Sequence, residues 1–83
     1  MQYEILFDKP AQKFILKQPL AQRTRILEAI SRLPNEGDRK PMRGYPGYFR
    51  LRVGDYRIIY TVENDKLIVR VINAGNRGDI YKK

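Results

Sequence analysis

The chain has 83 residues with no cysteine and no histidine, and its 17 Lys and Arg against 9 Asp and Glu give a net charge of +8. That length suits one domain, residues 1–83, with a thin core that buries roughly 60–65% of the surface the unfolded chain exposes. Disulfide support, histidine acid–base catalysis and, all-carboxylate arrangements apart, a zinc site are excluded.

Residues 2–7, "QYEILF", alternate: Tyr3, Ile5 and Phe7 share one face of a predicted strand. Asp8 is placed to cap a helix that has Pro10 in its first turn and continues through "AQKFILKQ", where Ala11, Phe14 and Ile15 share a face. Pro19 separates it from a second helix over residues 20–33, in which Leu20, Ile26, Leu27, Ile30 and Leu33 recur at helical spacing. Pro34 and Gly37 close that helix. The short link predicts an antiparallel helical hairpin. Residues 34–47 hold three prolines, three glycines and five charges without periodicity, and read as a long loop.

A three-stranded meander follows: residues 48–53, a Gly54-Asp55 turn, residues 56–63, an Asn64-Asp65 turn, and residues 66–74. The order of strand, two helices and three strands predicts an α+β fold, with the helical hairpin packed on one face of a mainly antiparallel sheet.

With Gly54-Asp55 as the turn, Arg52 lies opposite Arg57, Leu51 opposite Ile58 and Arg50 opposite Ile59. One face then holds Phe49, Leu51, Val53, Tyr56, Ile58, Tyr60 and Val62, joined by Leu67, Val69 and Val71, and is expected to carry the helices. Tyr56 and Tyr60 are read as core tyrosines. The other face holds Tyr48, Arg50, Arg52, Arg57, Ile59, Thr61, Ile68, Arg70 and Ile72. Its arginines receive no mid-strand carboxylate from their own strands, so an open, basic face is expected. Like charges directly opposite on a sheet are destabilising, and guanidinium groups bind phosphate bidentately. Charge follows the same division: residues 1–38 carry 6 basic and 5 acidic side chains, residues 39–83 carry 11 and 4, along with six of the nine aromatics. A nucleic acid is the first candidate partner and an acidic protein the second. Lys40 and Arg43 can reach an RNA backbone or serve solubility alone, and Tyr48 can stack on a base.

The stretch "RGYPGYFRLRVGDYRIIYTVENDKLIVRVINAGNRGDIY" resembles the RelE/ParE superfamily of toxins from type II toxin–antitoxin pairs. Its "RG.P" loop, alternating basic strand, "YRIIY" strand, apolar last strand and Gly-x-Arg…Tyr tail carry the resemblance, and the strand and helical hairpin before them match the family's order. The resemblance is to the RelE branch, ribosome-dependent mRNA endonucleases. It implies metal-independent cleavage of mRNA in the ribosomal A site by attack of a ribose 2′-OH on the adjacent phosphate, with no cofactor. Carried over position by position, the implied site residues are Arg50, Arg52, Arg57, Arg77 and Tyr81. Arginines stand at two of these, Arg50 and Arg52, where lysines are known in the family. Arginine is not deprotonated in proteins, so those positions supply charge and not a base. Arg57 and Arg77 are then assigned to phosphate and transition-state binding. Tyr81 is either the general base, its phenol acidified by neighbouring guanidinium groups, or a stacking platform.

The implied partners are a cognate antitoxin and the ribosome with its mRNA. No apolar run is long enough to span a membrane and the N-terminus lacks a signal-peptide core, so a cytoplasmic protein is expected; beside the resemblance, the toxin without its antitoxin is expected to be a monomer. Two other readings belong beside the first: a ParE-type toxin that inhibits DNA gyrase by binding, and an inactive homologue that binds RNA or ribosomes.

Overall fold

In a computed structural model, residues 2–76 are described. They form β1 (Glu4–Phe7), α1 (Lys9–Leu16), α2 (Leu20–Ser31), β2 (Asp38–Pro41), β3 (Phe49–Val53), β4 (Tyr56–Glu63) and β5 (Ile68–Asn76). The strands make one sheet in the order β1-β5-β4-β3-β2. β1 runs parallel to β5, and every other neighbouring pair is antiparallel. Both helices lie on one face, α1 over β5 and α2 over β3. This is the expected α+β layout with one strand more than expected.

The extra strand is β2, in the stretch read as a loop. It pairs with β3 from Asp38↔Arg52 to Pro41↔Phe49. Pro41 is tolerated there because an edge strand has one side free of ladder bonds. Gly37 steers the chain into the strand. Its φ is +114°, and a Cβ there would lie 2.8 Å from Leu51 Cδ1, so both conformation and contact require glycine. Past β2, the Tyr45 amide donates to the Met42 carbonyl at 3.2 Å and the Tyr48 amide to the Tyr45 carbonyl at 3.1 Å. These are two successive β-turns. In the second, Pro46 precedes Gly47 with φ +82°, the positive φ that a type II turn demands. The 34–47 segment is thus an ordered hairpin arm.

The core joins Ala11 and Ile15 of α1, Ile26 and Ile30 of α2, and Leu33 to Leu51, Val53, Ile58, Tyr60, Val69, Val71 and Ala74 of the sheet. Tyr60 is 1% exposed and stacks on Phe49 with ring centroids 5.5 Å apart. Its burial pushes the phenol pKa up. The Tyr56 hydroxyl bonds to Gln18 Oε1 at 3.2 Å. Both tyrosines play the core role read from their parity.

Four local expectations are corrected. α2 ends at Ser31, two residues early, although Leu33 remains buried. Leu20 and Leu27, expected in the buried stripe, are 68% and 41% exposed. At about 100° per residue, Ile26, Ile30 and Leu33 centre the stripe, while Leu20 and Leu27 fall together roughly 100° to one side. Asp8 occupies the N-cap position of α1, but its side chain makes no cap hydrogen bond. Its Oδ1 accepts from Arg70 Nη1 at 3.1 Å instead, a hydrogen bond in which both partners are ionised. Finally, residues 64–67 form a four-residue connection in place of the two-residue turn, and β5 starts at Ile68. Leu67 takes φ +55° outside the strand, and its carbonyl accepts the Glu4 amide at 2.8 Å, opening the β1–β5 pairing.

Register shifts between Ile59, opposite Asn73, and Tyr60, opposite Val71, leaving Ile72 as the extra residue of a β-bulge. The bulge resets parity, so Ala74 joins Val71 in the core. No helix among the described residues is long and apolar enough to cross a membrane.

Two substitutions test this packing by urea unfolding. Gly37→Ala forces a positive φ on alanine and drives its Cβ into Leu51; a loss of about 1–3 kcal/mol is expected. Ile26→Ala empties a fully buried site beneath the sheet, and about 2–5 kcal/mol is expected to be lost.

Candidate nucleic-acid interface

The outer face of the sheet, opposite the helices, is built by register. Asp38, Arg52 and Arg57 form one row across β2, β3 and β4, and Lys40, Arg50 and Ile59 form the next. Adjacent strands lie about 4.8 Å apart, so the four cations of these rows sit within roughly two strand spacings of one another. Arg52 does face Arg57, as the parity requires.

The face departs from the open, carboxylate-free patch in two ways. First, β2 brings a carboxylate. Asp38 Oδ2 accepts from Arg52 Nε at 2.8 Å, and Asp38 Oδ1 lies 3.6 Å from Arg50 Nη1. Arg50 Nη1 also donates to the Asp38 backbone carbonyl at 3.4 Å. The Arg52 hydrogen bond, with the charges of Arg52 and Arg50 behind it, outweighs desolvation and holds the Asp38 carboxyl below the usual carboxylate range. Arg52 therefore stands between an anion on β2 and a cation on β4, and its repulsion from Arg57 is offset on its other flank. Second, Arg50 is only 9% exposed and Ile59 is buried. Arg50 lines a cavity of about 260 Å³ together with Lys40, Pro41, Met42, Arg43 and Tyr45. The turns after β2 build the rest of this cavity's lining, which the loop reading did not foresee.

The other predicted residues lie as follows. Lys40 and Arg43 are exposed on the walls of that cavity. Tyr48 is 40% exposed at the end of the hairpin arm, and Tyr45 is similarly exposed. Arg70 is on the outer face of β5 but away from the cluster. It pairs in register with Thr61, four positions along β4 from Arg57, a separation of roughly 13 Å along the strand, and it is bound to Asp8. Arg77 and Tyr81 lie outside the described residues. The structure thus brings together Arg50, Arg52, Arg57, Lys40 and Arg43, and sets Arg70 apart.

Asp38 and Tyr45 are the members that sequence reading missed. Asp38 stands in "DRKP", where three charges and a proline hide a strand; the preceding Gly37 is the one local sign of a turn into it. Chemically, the arrangement supplies fixed positive charge and many N–H donors. Arginine keeps its proton, so the arginines here are suited to binding anions and not to serving as bases.

Comparison with known proteins agrees with the geometry. The family model described as ParE toxin of type II toxin–antitoxin system, parDE, matches residues 5–81. Toxin RelG of Mycobacterium tuberculosis is 30% identical, with all of both chains covered. Toxin RelE3 of Methanocaldococcus jannaschii is 35% identical over 81% of this chain and 84% of its own. The RelE chain in the crystal structure of the archaeal RelE–RelB complex from Pyrococcus horikoshii superposes with a TM-score of 0.77 at 26% identity, covering 95% of this chain and 99% of that one. With a family match over nearly its whole length, similar relatives and the same fold, the chain belongs to the RelE/ParE family of toxins from type II toxin–antitoxin systems.

Proposed function

We propose that this protein is a ribosome-dependent endoribonuclease that cleaves mRNA in the A site and so inhibits translation. The observation that carries the reading is the cluster of Arg50, Arg52, Arg57 and Lys40 on one sheet face, tied in register and holding Asp38 as a cross-strand carboxylate. The reaction needs a 2′-OH that loses its proton, positive charge on the phosphorane, and a proton for the leaving 5′-oxygen. Arg57 and Arg77 bind the scissile phosphate, Arg50 and Arg52 add charge beside it, and Tyr81 acts as base or as stacking platform. Lys40, Arg43 and Tyr48 hold the flanking RNA, and Arg70 touches backbone further away. With only a phenol as base, much of the rate comes from the ribosome's positioning of the substrate.

The partners in this reading are the ribosome, its mRNA and a cognate antitoxin, all in the cytoplasm, with the single domain monomeric when alone. Leu16, Leu20 and Leu27 are exposed on the helical hairpin, and Phe7, Gln12, Ile15, Leu16 and Leu27 line a shallow groove there. That groove suits the apolar stripe of an amphipathic antitoxin helix, with acidic residues reaching the basic face. A second reading, inhibition of DNA gyrase by binding, is favoured by the ParE description of the matching family model.

Primer extension on an mRNA in a purified translation system tests the first reading. Wild type is expected to cut in the A site only when ribosomes are present. Arg57→Ala is expected to lower the rate by about 10²–10³, the usual loss when one transition-state donor is removed. Inhibition of gyrase supercoiling by folded protein that never cuts mRNA would instead establish the second reading.

A further inference from the structure

We infer that Asp38 is a positioning residue of the basic face: it orients Arg52, and secondarily Arg50, toward a bound phosphate while cancelling part of the face's attraction for nucleic acid. This rests on the reading of the cluster as an RNA-cleaving site.

The geometry comes from the pleat. Asp38 is the first residue of β2 and lies directly opposite Arg52, while Lys40, next on that face, lies opposite Arg50. One residue thereby holds two arginines through three contacts: Oδ2 to Arg52 Nε at 2.8 Å, Oδ1 to Arg50 Nη1 at 3.6 Å, and the backbone carbonyl to Arg50 Nη1 at 3.4 Å. The bond to Arg52 uses Nε, so the rest of the guanidinium fork remains for a second anion.

Stability is a poor explanation for this arrangement. The side chains of Asp38 and Arg52 are 45% and 39% exposed, and exposed ion pairs contribute little to folding. What the pair does provide is direction. A long side chain on an open sheet face, pushed by Arg57 from β4, would otherwise sample many rotamers; the carboxylate selects one. The same carboxylate is an internal competitor for the anion that the arginines await. Removing its charge therefore acts on affinity and on chemistry in opposite senses.

Asp38→Asn keeps the shape and removes the charge. Three readouts are expected to move together. The Nε–Hε resonance of Arg52 shifts and exchanges faster with water. A short single-stranded RNA oligonucleotide binds more tightly, and the slope of log affinity against log salt steepens by about 0.7, the increment for one further phosphate contact on a single strand. In the ribosomal assay kcat falls about tenfold while KM does not rise, and Asp38→Glu, which restores the charge, recovers the wild-type salt slope and part of kcat.

A purely structural Asp38 would give a different pattern: a lower melting temperature, with RNA affinity and kcat falling together and no steeper slope. That result, or an Arg52 resonance and salt slope unchanged by Asp38→Asn, would overturn the inference. Should wild type bind RNA but cut none, the reading as a nuclease fails by itself. The resonance and the salt slope then still decide whether Asp38 sets the arginines.

Discussion

The pairing of β3 with β4 through the Gly54-Asp55 turn is the constraint on which the rest of the molecule depends. A two-residue connection leaves no freedom in register, and a slip of one residue would exchange the two faces of the hairpin. With Val53 opposite Tyr56, the apolar set of Leu51, Val53, Ile58 and Tyr60 points to the helices, and Arg50, Arg52 and Arg57 point away. Core and basic face are thus two consequences of one turn. The facing pair Arg52 and Arg57 comes with that register and is not a local stabilising choice.

β2 reconciles this pairing with electrostatics. A four-residue edge strand, exposed at every position, contributes almost nothing to the core. It does place Asp38 beside Arg52 and continues into the turns that line a cavity with Arg50. Charged residues and a proline on an edge also discourage pairing with another chain. Solubility, edge protection and the arrangement of the site are served by the same few residues.

Much of the fold could be read from the amino acids because β3 alternates and a tight turn fixes its register to β4. The end of β3, the bounds of β4, the Arg52↔Arg57 register and the core tyrosines all follow from period two and one tight turn, while β3 starts at Phe49, one residue later than expected, and leaves Tyr48 outside the strand. What escaped was decided by tertiary context. "DRKP" has no apolar face, so nothing in its composition announces a strand; it is one because β3 offers a free edge and Gly37 turns the chain toward it. Leu27 satisfies helical spacing as well as Ile26 does, and only the position of the sheet decides which is buried. Asp8 suits a helix cap, yet Arg70, 62 residues away, takes its carboxylate. For the site, residue types and their shared face were legible; the partnership of Asp38 with two arginines required knowledge of the missed strand.

The place of β5 has a further consequence, for the order in which the molecule can be assembled. The last strand among the described residues is an interior one, lying between β1 and β4. Until it emerges, β1 has no neighbour in the sheet, β4 presents an open edge, and α1 lacks the strand it covers. Pairs such as Glu4↔Ile68 close loops of more than sixty residues, the long-range kind of contact that slows folding. Synthesis from the N-terminus therefore leaves the sheet unfinished until β5 has been made. For a toxin whose proposed target is the ribosome, this ordering ties the finished sheet, with the basic face proposed to act on that target, to the arrival of β5.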